Sequence, residues 1–170
     1  MNKKKFLLLF ILCCALPLAA AKLVLEMGWF SRGASSHGQW QQAEVFLLPA
    51  TTEKAHWRLA VPASEECDNQ CQRALFTVQQ LYVGLGRKQQ QLQPVLLGSA
   101  KAPEQFNVFS RLQPERSVPE TLNKHILLID QQGLVLLSYP APATDADMAG
   151  VAKAIRQDLL KLFNYDRTSA

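Results

Sequence analysis

Two of the chain's four cysteines, Cys67 and Cys71, stand three residues apart in "SEECDNQCQRAL", residues 64–75. At helical spacing such a pair shares one face, one turn apart. Two thiolates so placed can clasp one soft metal ion, and Cu(I) is the usual soft guest outside the cytoplasm. They can also exchange with other thiols, or close a structural bridge if the turn opens to disulfide geometry. Amides at a helix N-terminus lower a thiol pKa, which favours Cys67 as the thiolate; Glu65, Glu66 and Asp68 oppose this with negative charge. A copper site wants a third ligand, and the histidines are His37, His56 and His125. His37 lies in a polar stretch, and His56 opens a strand at the end far from the cysteines. His125 opens a later strand and is the histidine best placed to join Cys67 and Cys71. Other catalytic constellations are missing from the sequence: no phosphate-cradling glycine loop, no Gly-x-Ser-x-Gly elbow and no histidine pair at helical spacing.

The elements that must position the pair follow from periodicity. "HWRLAVP", His56 to Pro62, alternates and ends at a proline, as a strand does. Cys71, Leu75, Val78, Tyr82 and Leu85 then recur at four and three, which predicts a helix over 68–85, with Cys71 more buried than Cys67. Gly84 and Gly86 stand where it would stop. "LQPVLLG" predicts a buried strand over Leu92–Leu97. Ala100 to Glu120 carries three prolines and shows no period; a short helix is the expectation there. Ile126–Asp130 and Leu134–Tyr139 flank "QQG", which predicts a hairpin turning at Gly133. Met148, Val151, Ile155, Leu159 and Leu162 predict a last helix over 145–163, with Thr144 and Asp147 as its capping pattern. Strand, helix, strand, connection, hairpin and helix is the order of the thioredoxin core. The expected fold is α/β: a thioredoxin-like domain over 53–166, with a central mixed sheet flanked by helices. Both cysteines would lie after the first core strand, at the start of the following helix.

Residues 31–52, rich in Ser, Gly and Gln at their start, read as a linker or an irregular entry to the domain. Residues 1–30 begin with Lys3, Lys4 and Lys5, and Phe6 to Ala21 is an uncharged run of sixteen residues. That pattern marks export. One reading is a single transmembrane helix over residues 6–25, anchoring the body outside the cytoplasm; the other is a signal cleaved after Ala19-Ala20-Ala21. Cys13 and Cys14 read as apolar fillers of this segment. The segment also carries most of the +4 net charge: beyond residue 26 there are 14 basic and 13 acidic residues, which leaves no electrostatic footprint for nucleic acid.

With "CDNQC" and a late "ILLIDQQGLVLLSY", the chain resembles the SCO/SenC family of copper chaperones for cytochrome oxidase. In the stretches "EMGWFSRGASSHGQW", "WRLAVPASEECDNQCQRALFTVQQLYVGLGR" and "ILLIDQQGLVL" it is more similar still to a group of short bacterial membrane proteins described as cytochrome-oxidase-associated. The resemblance implies copper ligation by Cys67 and Cys71. It also implies a cytochrome oxidase subunit or assembly factor as partner, and a single-pass place in the inner membrane with the body in the periplasm. Gln72 stands where the family has a proline after its second cysteine. The expected function is a membrane-tethered accessory to respiratory oxidase assembly, metallochaperone-like rather than an enzyme, acting by copper binding or thiol–disulfide exchange. The alternative is a non-catalytic module that docks to a membrane complex, with Cys67–Cys71 a structural disulfide.

Overall fold

The computed structural model describes residues 3–26, 36–52, 57–63, 66–101 and 103–166. The chain divides into two units, Met1–Ser35 and Ser36–Ala170. The first contains helix α1, Lys3–Glu26, with Pro17 inside it and Cys13 and Cys14 free and exposed. Among the described residues no helix is long and apolar enough to cross a membrane. The expected transmembrane helix is therefore not found. The uncharged run spans sixteen residues, about 24 Å of helix against a hydrocarbon core of about 30 Å, and Lys22 follows it directly.

The second unit is built on one mixed sheet in the order β1-β6-β5-β2-β3-β4. β1 is Gln39–Trp40, β2 Trp57–Pro62, β3 Leu92–Leu97, β4 Ser110–Leu112, β5 His125–Ile129 and β6 Val135–Pro140. β2 and β3 run parallel, joined through helix α2, Asn69–Gly84. β5 runs antiparallel to β2 and to β6, and helix α3, Asp145–Asp166, follows. A strand–helix–strand half and a hairpin–helix half thus share one sheet, the thioredoxin-like arrangement that the element order predicts. His56 lies outside the described residues. Within 100–120, Ser110–Leu112 pairs with β3 as an edge strand, with Pro103 and Pro114 on either side denying a longer helix its amide donors; the short helix comes only at the end of this region, as a 3-10 turn over Glu120–Leu122.

Strand periodicity divides the core. Leu59 and Val61 of β2, Leu96 of β3, Ile126 and Leu128 of β5 and Tyr139 of β6 face the helices. They pack on Leu75 and Val78 of α2 and on Ile155, Leu159 and Phe163 of α3. On the other face Ala60, Val95, Leu97, Leu127 and Ile129 are covered by Leu47, Leu48 and Leu122. From Ser36 on, the segment groups with the domain as an irregular entry to it. Leu47 and Leu48 are fully buried, and the Leu47 amide donates to the Gly133 carbonyl at 3.0 Å. Leucines of that size fill the sheet face opposite α2 and α3.

Two buried ionisable side chains tie this segment down. Arg58 of β2 donates to the carbonyls of Pro49 (2.8 Å) and Asp130 (2.6 Å). Asp158 of α3, 2% exposed, accepts from the amides of His37 (2.7 Å) and Gly38 (3.0 Å) and from the Tyr139 hydroxyl (3.0 Å). Burial, with the Asp158 charge and hydrogen bond added, holds the Tyr139 phenol well above its ordinary pKa. A Cβ at Gly38 would come within 2.6 Å of the Tyr139 ring, so glycine is what lets the backbone reach the carboxylate.

At the hairpin, Asp130 Oδ1 accepts from the amides of Gln132 (2.8 Å) and Leu134 (3.0 Å), and Gly133 has φ +89°. A side chain there would run into the Leu48 carbonyl. Gly133→Ala is expected to lower unfolding stability by about 2 kcal/mol or more, through positive φ and the clash together. Asp158→Ala, which strands a phenol and two amides, is expected to cost about 3 kcal/mol. Urea denaturation of each variant beside the wild type checks both.

Candidate functional site

β2 ends at Pro62, and the chain beyond it is held to the sheet: the Ala63 amide donates to the Leu97 carbonyl (2.9 Å), and the Ala63 carbonyl accepts from Ala100 (3.3 Å). This places the next residues at the C-terminal end of the parallel pair, the end where open α/β sheets keep their crevices. Asp68 caps α2. Its backbone is extended, and its carboxylate accepts from the Cys71 amide at 2.8 Å. The Gln72 side chain turns back to the Cys67 carbonyl at 3.2 Å. Gln70 and Arg73 donate to the carbonyls of Ala141 (3.1 Å) and Pro142 (3.2 Å), which join the first turns of α2 to the chain after β6.

Cys67 and Cys71 are joined by a disulfide, with Cα atoms 5.2 Å apart. Both residues are half-buried and pack against the core, so the expected difference in burial between them does not show in their exposure. They differ in outlook instead. Cys71, with Glu66, Asp68, Lys124 and His125, lines a cleft of about 470 Å3 whose far wall includes Gln113 and Ser117. Among the four ionisable neighbours, two carboxylates flank the cysteines on their own loop, and Lys124 and His125 come from the start of β5.

His125 is thus brought to the cleft that Cys71 lines. Its Nδ1 is buried and accepts or donates no hydrogen bond among the described residues. Burial holds the imidazole below its ordinary pKa of 6.5, so the ring is neutral near pH 7. His37 is exposed and serves through its backbone amide alone; it lies outside the cleft lining. Among the described residues, no group of three or more His, Cys, Asp or Glu side chains is placed to hold a metal ion. The two sulfurs are bonded to each other, so the donor set as it stands does not fit a copper ion. A disulfide so placed has the chemistry for exchange with an outside thiolate, and Cys71 is the one of the pair that lines the cleft.

Three parts of the site escape a reading of motifs. Asp68 was legible in principle, as an Asp directly before a periodic run. Asp158 left a fainter sign, an acid inside the apolar stripe of α3. Nothing local marks the tethers from Gln70 and Arg73, whose partners lie about 70 residues away.

Residues 57–165 match the family model described as transmembrane-like, thioredoxin-like, C-terminal domain. No curated protein matches the chain. Among solved structures, a SCO1/SenC family lipoprotein from Bacillus anthracis is 15% identical with a TM-score of 0.39, over 66% of this chain and 95% of its own. The thioredoxin domain of a thiol-disulfide oxidoreductase from Bacteroides vulgatus is 10% identical with a TM-score of 0.38, over 74% of this chain and 96% of its own.

Because the folded chain resists protonating His125, the unfolded chain holds more protons in the window between the lowered value and 6.5. Stability should therefore fall as pH drops from about 6.5 through the folded-state pKa and level off below it. His125→Gln should flatten that part of the profile, measured by denaturant unfolding across pH 4–7.5, a range set roughly around the ordinary histidine value.

Proposed function

We propose that this chain, which belongs to the transmembrane-like, thioredoxin-like C-terminal domain family, is a thiol–disulfide exchange protein that works through Cys67 and Cys71. The observation that carries the proposal is the disulfide on the first turn of α2, with Cys71 opening onto a cleft. Two further points support it. The bond closes a loop of only four residues' separation, for which loop-closure entropy supplies about 2 kcal/mol, the low end for a disulfide. A domain with two core layers and a fully paired sheet centre has little need of so short a staple. Secondly, the ends of the bond are held by side chains from the helix itself, Asp68 and Gln72, so the turn keeps its shape whether or not the sulfurs are joined.

Reduction proceeds in two balanced steps. A donor thiolate attacks Cys71 Sγ, a mixed disulfide forms and Cys67 leaves as the thiolate. A second donor thiolate then attacks the donor sulfur of the mixed disulfide, which forms the donors' disulfide and frees Cys71, and the two protons lost by the donors end on the two cysteines. Run in reverse, the dithiol reduces a partner's disulfide. The partner we propose is a subunit or assembly factor of cytochrome oxidase in the membrane, with this domain acting on its periplasmic side, as the sequence resemblance suggests. The N-terminal segment, apolar from Phe6 to Ala21 after three lysines, supplies the address for export. Copper carriage through the same cysteines is the rival chemistry; the joined sulfurs favour exchange over it.

The test is equilibration of the full-length protein in dithiothreitol redox buffers, followed by reoxidation with glutathione disulfide. A Cys67–Cys71 bond that opens and closes reversibly, with both cysteines counted by thiol titration, is the expected result. A bond that no buffer opens in the folded protein would leave the docking-module reading in its place. Tight stoichiometric Cu(I) binding by the reduced protein, lost in Cys67→Ser, would move the assignment to copper.

A further inference from the structure

A thiolate beside a helix N-terminus is stabilised by the free amides there and by the positive end of the helix dipole. At the start of α2 a carboxylate has taken that part. Asp68 stands between the two cysteines, and its Oδ1 accepts from the amide of Cys71 itself at 2.8 Å. Its carbonyl accepts from the Gln72 amide at 2.9 Å. Glu66 places a second carboxylate on the other side of Cys67, and both acids line the cleft with Cys71. Lys124 and His125 line the same cleft from the start of β5. The imidazole is neutral near pH 7, because burial holds its pKa down. Arg73, one turn along α2, is bonded to the Pro142 carbonyl and lies outside the cleft lining. Two anions and one cation therefore surround the reacting sulfur, and one of the anions is bonded to its own backbone.

We infer that Asp68, with Glu66, sets the direction of exchange: the two carboxylates withhold stabilisation from a thiolate at the pair and hold it on its disulfide side, so that the dithiol form is an electron donor to a partner's disulfide. The inference rests on the exchange reading above and adds its direction. The potential of such a pair follows the stability of its reduced form; a stabilised thiolate makes an oxidising pair, and a thiolate without support makes a reducing one. Asp68 acts through the two sulfurs rather than on the partner. In the favoured direction Cys71 attacks the partner's disulfide, a mixed disulfide forms and one partner sulfur leaves. Cys67 then attacks Cys71 Sγ, the Cys67–Cys71 bond closes and the second partner sulfur leaves. Two electrons pass to the partner, and the two protons of the dithiol end on the partner's thiols. A protein dithiol of lower potential restores the pair by the same exchange.

The test uses the full-length protein beside Asp68→Asn and Asp68→Ser, which remove the charge and keep the cap, since Asn and Ser cap a helix about as well as Asp. A double variant adds Glu66→Gln. Each is equilibrated with reduced and oxidised dithiothreitol near pH 9, where thiols of ordinary pKa, about 8.5, are largely ionised. Free thiols are alkylated, and the peptide holding Cys67 and Cys71 is read by mass spectrometry, which sets Cys13 and Cys14 aside. Each single variant should shift the equilibrium about threefold toward the dithiol, the size of a charge effect at an exposed helix N-terminus, and the double variant about tenfold. The shifts should shrink in about 1 M salt, which screens a charge and leaves a cap in place. Thermal unfolding checks that the variants fold. Near pH 7, a millimolar buffer of about ten parts glutathione to one of its disulfide should leave the wild type mostly oxidised. Equilibria unchanged in both capped variants overturn the inference, as does a shift indifferent to salt or a wild type that this glutathione buffer reduces; the exchange reading survives each of these. A bond that dithiothreitol does not open in the folded protein overturns the exchange reading itself, and the direction with it.

Discussion

Everything at the disulfide depends on the pairing of β2. All six of its residues, Trp57 to Pro62, are buried, and the strand is bonded on one side to β3 in parallel and on the other to β5 in antiparallel register. A strand with both edges paired and both faces covered has no freedom to slip, because a shift by one residue would turn Leu59 and Val61 away from the helices and Arg58 toward them. The chain therefore leaves the sheet at one place, beyond Pro62. Five residues later it reaches Cys67, and Asp68 starts the helix. The crossover from β2 through α2 to parallel β3 then has to return over the same face of the sheet. The position of the sulfurs is a consequence of a packed strand rather than of any property of the cysteines.

The two buried charges play complementary parts around that strand. Arg58 projects to the face away from the helices and gathers the carbonyls of Pro49 and Asp130. Asp158 reaches from α3 to the amides of His37 and Gly38 and to Tyr139 on β6. A buried ionised group is costly unless it finds hydrogen-bond partners; the segment of residues 36–52 supplies two amides to Asp158 and one carbonyl to Arg58, whose other carbonyl comes from the hairpin. That segment has little regular structure to hold it, so side-chain-to-backbone bonds do what a ladder would do elsewhere. The result is a sheet whose second face is sealed by Leu47 and Leu48 without a long helix.

The reacting end is organised differently, by short polar contacts at the surface. Asp68, Gln70, Gln72 and Arg73 each bond a backbone group within or across the first turns of α2. These contacts hold the turn in shape and leave one sulfur facing a cleft. A rigid frame below and a polar collar above would suit the proposed opening and closing of this bond without disturbance of the core.

Local order was legible in the residues themselves. The 3.6-residue stripe of Cys71, Leu75 and Val78 marks α2, and the last stripe marks α3 within three residues of its observed end at Asp166. Leu92–Leu97 is the observed β3, and Asp130 to Gly133 marks the hairpin. Such signals lie in neighbours a few residues apart, where period and turn chemistry act. The cysteine spacing likewise put the two sulfurs on one turn, but left metal, redox couple and bridge equally open. Tertiary structure alone decided the rest. It joined the sulfurs, brought His125 to the cleft from 54 residues beyond Cys71, and seated Leu47 and Leu48 under the sheet. It also closed Asp158 over Gly38 across a separation of 120 residues. Apart from the disulfide, whose cysteines lie four residues apart, each of these is a contact between distant parts of the chain, set by how buried surfaces fill one another, and no short window of sequence contains both halves of such a contact.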